Sequence, residues 1–150
     1  MNDISSPLPT PRIALILGAA GLIPFIGLAA ALLIGPEGIS ERTLHMALVT
    51  YGALIASFLG GVRWGNALKS VEGQTREYIT SVIPSLMAWL ALATPRPYDL
   101  MLLIGLFLAL GVSDVGLVLS GGAPRWYGKL RVGLTAIATL SLLVALFAHP

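Results

Sequence analysis

Five stretches of the chain are almost wholly apolar, and short polar breaks separate them. They run over about 13–34, 43–62, 78–94, 98–119 and 127–148. The breaks contain GPEGISER, GNALKSVEGQTRE, PRP and SGGAPRW, rich in the Gly, Pro and Ser that turns require. A transmembrane helix needs about 20 mostly apolar residues to cross roughly 30 Å of hydrocarbon, because no backbone N–H can stay unpartnered there. The pattern therefore predicts an all-α polytopic membrane protein, a bundle of five transmembrane helices in a single domain over residues 1–150. The third stretch is the weakest, being short and interrupted by Pro84. Without it the chain would have four spans.

Composition agrees with the pattern. The chain is 56% hydrophobic and only 11% charged, against about 25% charged in soluble domains. No polar gap is long enough for a soluble domain. The chain has no cysteine, which excludes disulfides, thiolate nucleophiles, Cys-ligated zinc and iron–sulfur clusters. The N-terminal MNDISSPLPTPR carries one acid and one base, too little positive charge for an organelle-targeting helix. The apolar run after it is too long for a signal-peptide core, so it is expected to stay as the first span.

Charge sets the expected orientation. With five spans, one face holds Arg12, Arg63, Lys69, Arg76, Arg125, Lys129 and Arg131, and the other holds Arg42 and Arg96. This seven-to-two bias predicts an N-terminus in the cytoplasm and a C-terminus outside. Trp64, Tyr78, Trp126 and Tyr127 fall at the same basic ends, where amphipathic rings prefer the membrane interface. The net charge of +2 then describes a basic rim facing the lipid bilayer and its anionic headgroups, and no nucleic-acid partner is expected.

Within the second span, Gly52, Ala56 and Gly60 recur every four residues; Ala53, Ser57 and Gly61 do so one step round, with Gly65 beyond. Small residues at this spacing let helices approach closely in lipid. They predict a central second helix, unless they reflect only the frequency of Gly and Ala in membrane spans. A thinner stripe, Gly105, Ala109 and Ser113, marks the fourth span. Pro24 and Pro84 each remove one hydrogen bond, freeing the carbonyls of Ala20 and Thr80, with Ser81 or Ser85 placed to patch the second gap.

Asp114 is the one carboxylate well within a span, about 8 Å below its end at 1.5 Å per residue. A lone charge there costs several kcal/mol, so it needs a partner, a proton or water. If spans four and five form a hairpin turning around 121–124, Arg131 stands level with Asp114; Arg63, at the same side of the second span, is the second candidate. Two readings stay open. In one, Arg63, Asp114 and Arg131 form a structural cluster fixing three helices. In the other, the arginines receive an anionic headgroup or substrate, or Asp114 carries a proton. Tyr51 and Ser57 are secondary polar positions that suit interhelical hydrogen bonds. His45, near the outer end of span two, and the penultimate His149 lack acidic neighbours at ligand spacing, so no metal site is expected. Phosphate loop, nucleophile elbow and HExxH are all absent. No catalytic residue and no cofactor is assigned, and enzymatic activity is not expected.

The motif YGALIASFLGGVRWG, the acid at Asp114 and the later PRWYGKLRVGLT resemble an uncharacterised family of small bacterial inner-membrane proteins. It is built on the same domain of unknown function as the mitochondrial transmembrane-protein-69-like proteins. The resemblance covers most of the chain from span two to span five. It implies a multi-span membrane domain, and it carries over Tyr51, Gly52, Ser57, Phe58, Gly60, Gly61, Arg63, Trp64 and Gly65, then Asp114, Pro124, Trp126, Tyr127, Leu130 and Arg131. No activity comes with it. Three function classes follow, in order. The first is a structural or accessory protein that forms a homo-oligomer or packs with a larger membrane complex. The second is a small transporter or channel using the Asp/Arg cluster, which the lack of an internal repeat weakens. The third is a protein binding lipid headgroups through Arg63 and Arg131.

Overall fold

The computed structural model describes residues 11–68 and 74–148. Lys69 and His149 lie outside the described residues. Five helices follow in order: α1 (Arg12–Ile34), α2 (Glu41–Ala67), α3 (Gln74–Ala93), α4 (Tyr98–Leu119) and α5 (Arg125–Ala148). Each corresponds to one apolar stretch. All but α3 are long and apolar enough to cross a membrane. The apolar part of α3 begins only at Tyr78, after the polar turn Gln74–Glu77. Its remaining length of about 24 Å falls short of the hydrocarbon thickness.

Local signals explain the helix ends. Ser40 starts α2, its side chain accepting from the Thr43 N–H at 3.1 Å, and Glu41 sits in the first turn, where negative charge suits the helix dipole. The helix thus begins two residues before the apolar run, and it continues through Arg63 to Ala67. At the other end of α1, Gly35 takes the left-handed conformation (φ 63°) and returns its N–H to the Ala31 carbonyl, a stop that favours glycine.

The helices form a ring in which each packs against the next and α1 closes on α5; α2 and α4 also touch across the middle. The diagonal divides the ring into a three-helix part, α2–α3–α4, and a four-helix part, α1–α2–α4–α5. The three-helix part is tight because α2 presents almost no side chain there. A Cβ at Gly60 would stand 2.5 Å from the Ser81 carbonyl oxygen and 3.4 Å from Pro84. Ser57 and Ser85 join the same pair of helices at 2.9 Å, and Trp64 packs on Tyr78 with ring centroids 4.8 Å apart. Gly52 lies against Leu103 of α4, and Ala56 is fully buried. Gly61 and Gly65 depart from the expected packing stripe: a Cβ at either would meet nothing within 4 Å. At about 100° per residue, Gly61 has turned away from the α3 contact that holds Gly60.

The core is Phe25, Leu48, Leu103, Leu106, Phe107 and Leu142 with smaller residues around them. The outside is as apolar as the inside: Ile16, Ile23, Leu54, Trp89, Val112 and Phe147 are all exposed. A water-soluble protein would not carry so continuous an apolar surface. The fold is that of a membrane bundle, and among the described residues the acidic, basic and histidine side chains lie toward its two ends.

Candidate functional site

The three charged residues singled out in the sequence meet at the basic end of the bundle. The α4–α5 hairpin turns tightly because Gly121 adopts a positive φ of 79° and the Gly122 N–H reaches the Leu117 carbonyl at 2.9 Å. This turn brings Arg131 level with Asp114, and its Nε donates to Asp114 Oδ2 at 2.5 Å. From α2, Arg63 Nη2 donates to the other carboxylate oxygen at 3.1 Å and to the Leu110 carbonyl at 3.2 Å. Asp114 is 3% exposed and Arg131 7%, whereas the Arg63 side chain keeps about a fifth of its surface. One carboxylate therefore bridges three helices, and the cluster of two cations and one anion is left with a net charge of +1.

Each arginine faces a different space. Arg63 lines a polar vestibule of about 890 Å³ at the basic end, together with Asn66, Arg76, Ser113, Ser120 and Trp126. Arg131 lines an apolar pocket of about 390 Å³ in the four-helix part of the ring, with Leu17, Phe25, Phe58, Phe107 and Thr135. Tyr127 borders both. The pocket exists because α2 and α5 stand on opposite sides of α4 and α1 spans the gap between them. Among the described residues, Arg131 Nη2 and Thr135 Oγ1 are buried without a hydrogen-bond partner.

The secondary polar residues stand apart from the cluster. Tyr51 donates to the Gly21 carbonyl at 2.8 Å, beside the Ala20 carbonyl that Pro24 frees, and its ring packs edge-on against Phe25. Ser57 bonds Ser85. Ser81 donates to the Tyr78 carbonyl at 2.7 Å rather than to that of Thr80. Trp126 and Tyr127 lie at the basic end with Trp64 and Tyr78, rings in contact within each pair. Gly105, Ala109 and Ser113 of α4 face outward.

A second polar contact, at the far end, was not foreseen. His45 Nε2 and Asp99 Oδ2 are 2.5 Å apart, both residues buried, so His45 does have an acidic neighbour. Asp99 also accepts from the Leu100 N–H at 2.7 Å. Beside it, Arg96 and Glu41 form an exposed ion pair at 2.7 Å. Since α2 and α4 run parallel, both starting from this end, the beginning of α4 lies level with the beginning of α2. Asp99, as second residue of its helix, reads as an end group in the sequence, and only the α2–α4 contact reveals its partner. Two ligands do not hold a metal ion, and no group of three His, Cys, Asp or Glu is suitably placed among the described residues.

A multi-span fold with buried polar groups bonded between helices near both ends can be compared with known families. One family model, described as a protein of unknown function (DUF3429), matches residues 10–147. The chain belongs to the DUF3429 family. It is similar to transmembrane protein 69 of Xenopus tropicalis, with 38% identity over 150 residues that cover 96% of this chain and 57% of the relative. It is also similar to transmembrane protein 69 of Mus musculus, at 33% identity, covering 97% and 60%. The chain thus spans somewhat over half the length of these relatives. No solved structure matches it. Membership of DUF3429 and the names of these relatives agree with the apolar helices: this is an integral membrane protein.

Proposed function

We propose that the protein is a small non-catalytic accessory component of a bacterial cytoplasmic membrane, N-terminus inside, that packs with itself or with a larger membrane complex. One observation carries this reading. The buried ionisable groups are engaged in bonds between the protein's own helices at the two ends, and the core between them is Leu48, Phe25, Leu103, Leu106 and Phe107. Asp99 and Asp114 are separated by about 22 Å along α4. A proton relay or an ion path needs polar groups or water across that whole distance; hydroxyls such as those of Thr135, Thr139 and Ser141 lie within it, but no titratable carboxylate, histidine or cation stands between the two ends of α4, which weighs against the transporter alternative. The outward Gly105, Ala109 and Ser113 of α4 offer the kind of flat strip on which another membrane helix seats. The test is photo-crosslinking in native membranes from Ala109 and, as control, from Ile23 on the lipid-exposed side of α1. A discrete protein adduct from Ala109 alone is expected; lipid adducts only, from both positions, would overturn the reading.

A second reading, that the basic end receives an anionic headgroup, is favoured by the net positive charge of the cluster and by Arg63 and Arg76 lining the vestibule. Phosphate and carboxylate groups suit such arginines. It is compatible with an accessory role.

A further inference from the structure

The vestibule at the basic end has the features of a ligand site. Its volume of about 890 Å³ lies in the upper part of the range for small-molecule sites. It is sunk between α2, α3 and α4, and Ser113 in its wall stands six residues before the end of α4, about 9 Å deep. Two guanidiniums line it from different helices, Arg63 of α2 and Arg76 of α3. Arg63 uses Nη2 for the Leu110 carbonyl and Asp114; among the described residues its Nε and Nη1 bond nothing, and the exposed Arg76 enters no ion pair. Glu77 lines the vestibule too, so its bordering charges leave +1, while behind Arg63 the charges of Asp114 and Arg131 cancel. Ser113 and Gly116, also in the wall, are exposed on α4, which opens the vestibule sideways to the bilayer as well as toward the end of the bundle. Trp126 borders it, and indole rings prefer the level of the headgroups.

We infer that the vestibule binds the phosphodiester of an anionic glycerophospholipid, with the phosphate between Arg63 and Arg76 and the glycerol leaving past Ser113 and Gly116. This rests on the reading of the basic end as a receiver of anionic headgroups, and gives that reading a place and a ligand class. Guanidinium forks match phosphate oxygens. Charge selects the lipid. A phosphodiester with an uncharged headgroup brings a single negative charge, which neutralises the +1 of the vestibule; a phosphate monoester brings about −1.5 to −2, and a choline lipid brings no net charge. The sideways opening selects a lipid over a soluble diester, because the acyl chains stay in hydrocarbon while the phosphate is held.

The experiment is native mass spectrometry of the full chain in mild detergent with phosphatidylglycerol, phosphatidylcholine and phosphatidic acid of identical chains, and with soluble glycerophosphoglycerol as competitor. Phosphatidylglycerol is expected to bind about tenfold more tightly than phosphatidylcholine. Arg76→Gln should remove most of that preference. Arg125→Gln, which takes an equal charge from the same end but outside the vestibule wall, should change it less than about threefold. A Cβ at Gly116 meets nothing within 4 Å, so Gly116→Leu should fill the vestibule and abolish the preference without altering any charge. Should that variant not fold, Arg76→Gln against Arg125→Gln decides instead. Equal binding of phosphatidylglycerol and phosphatidylcholine by the wild type would overturn both this inference and the anionic-headgroup reading. A preference that survives Gly116→Leu in a folded protein, or that falls alike in both arginine variants, would leave that reading standing and overturn the vestibule as its place. Tighter binding of phosphatidic acid would overturn the phosphodiester alone, and displacement by equimolar glycerophosphoglycerol would overturn the lipid as its source.

Discussion

Adding a single methyl group at Gly60 tests how closely α2 and α3 are packed. In Gly60→Ala the new Cβ would lie 2.5 Å from the Ser81 carbonyl oxygen, a backbone atom, and 3.4 Å from the Pro84 Cβ. A normal carbon–oxygen contact is wider, so one helix must move. The movement disturbs the neighbouring Ser57–Ser85 bond and the Trp64–Tyr78 contact, which hold the same two helices. Overpacking of this kind costs typically about 1–3 kcal/mol. Gly61, one residue on, is the control: a Cβ there meets nothing within 4 Å, and replacing a helical glycine by alanine is worth about 0.5–1 kcal/mol in favour of the variant. The two alanine variants, identical in composition, should thus move stability in opposite directions. The assay is unfolding in mild detergent followed by tryptophan fluorescence, with Trp64 itself at the interface. Equal shifts for the two variants, or a stable Gly60→Ala, would refute the close approach.

Three further expectations concern the ends of the bundle. Asp99→Asn weakens the buried bond to His45, whose Nδ1 already lacks a partner among the described residues, and should cost about 1–3 kcal/mol; Arg96→Ala, which removes an exposed ion pair with Glu41, should cost less than about 1 kcal/mol. Similar losses in the same unfolding assay would show that burial does not separate the two pairs. Gly111→Ala places a Cβ 2.9 Å from the Thr135 Cγ2 and should destabilise, with Gly111→Ala/Thr135→Ser recovering part of the loss by removing that methyl group; no recovery would place the strain elsewhere. Reporter fusions should find the second connection in the cytoplasm and the C-terminus outside, as the seven-to-two distribution of basic residues requires. A cytoplasmic C-terminus would mean that α3 does not cross.

Much of the fold is legible in the sequence because lipid imposes one rule on every span. The apolar stretches mark all five helices, and the shortness of the third, with Pro84 inside it, identifies the weakest. The Asp114–Arg131 bond follows from hairpin geometry, since both residues lie on consecutive helices joined by a short turn. Gly60 and Ala56 follow from the spacing of small residues. The His45–Asp99 pair does not, because it depends on a contact between α2 and α4 that no loop dictates. Gly61 and Gly65 share the motif that contains Gly60, yet a periodic pattern does not say which of two adjacent stripes finds a neighbour. The pocket was equally hidden. It arises from the four-sided half of a ring whose closure, α1 on α5, joins the two ends of the described chain.

The central claim is that Asp114 fastens α2, α4 and α5 by satisfying Arg63 and Arg131 together. The most direct measurement is the unfolding free energy of Asp114→Asn beside that of a neutral triple variant, Arg63→Met, Asp114→Leu and Arg131→Met. Asn retains the shape of the side chain but leaves a buried guanidinium without its counter-charge, a loss of about 3–5 kcal/mol. The triple variant removes every charge together with its desolvation cost and should regain much of that loss. An Asp114→Asn protein as stable as wild type, or a triple variant no more stable than the single one, would contradict the account.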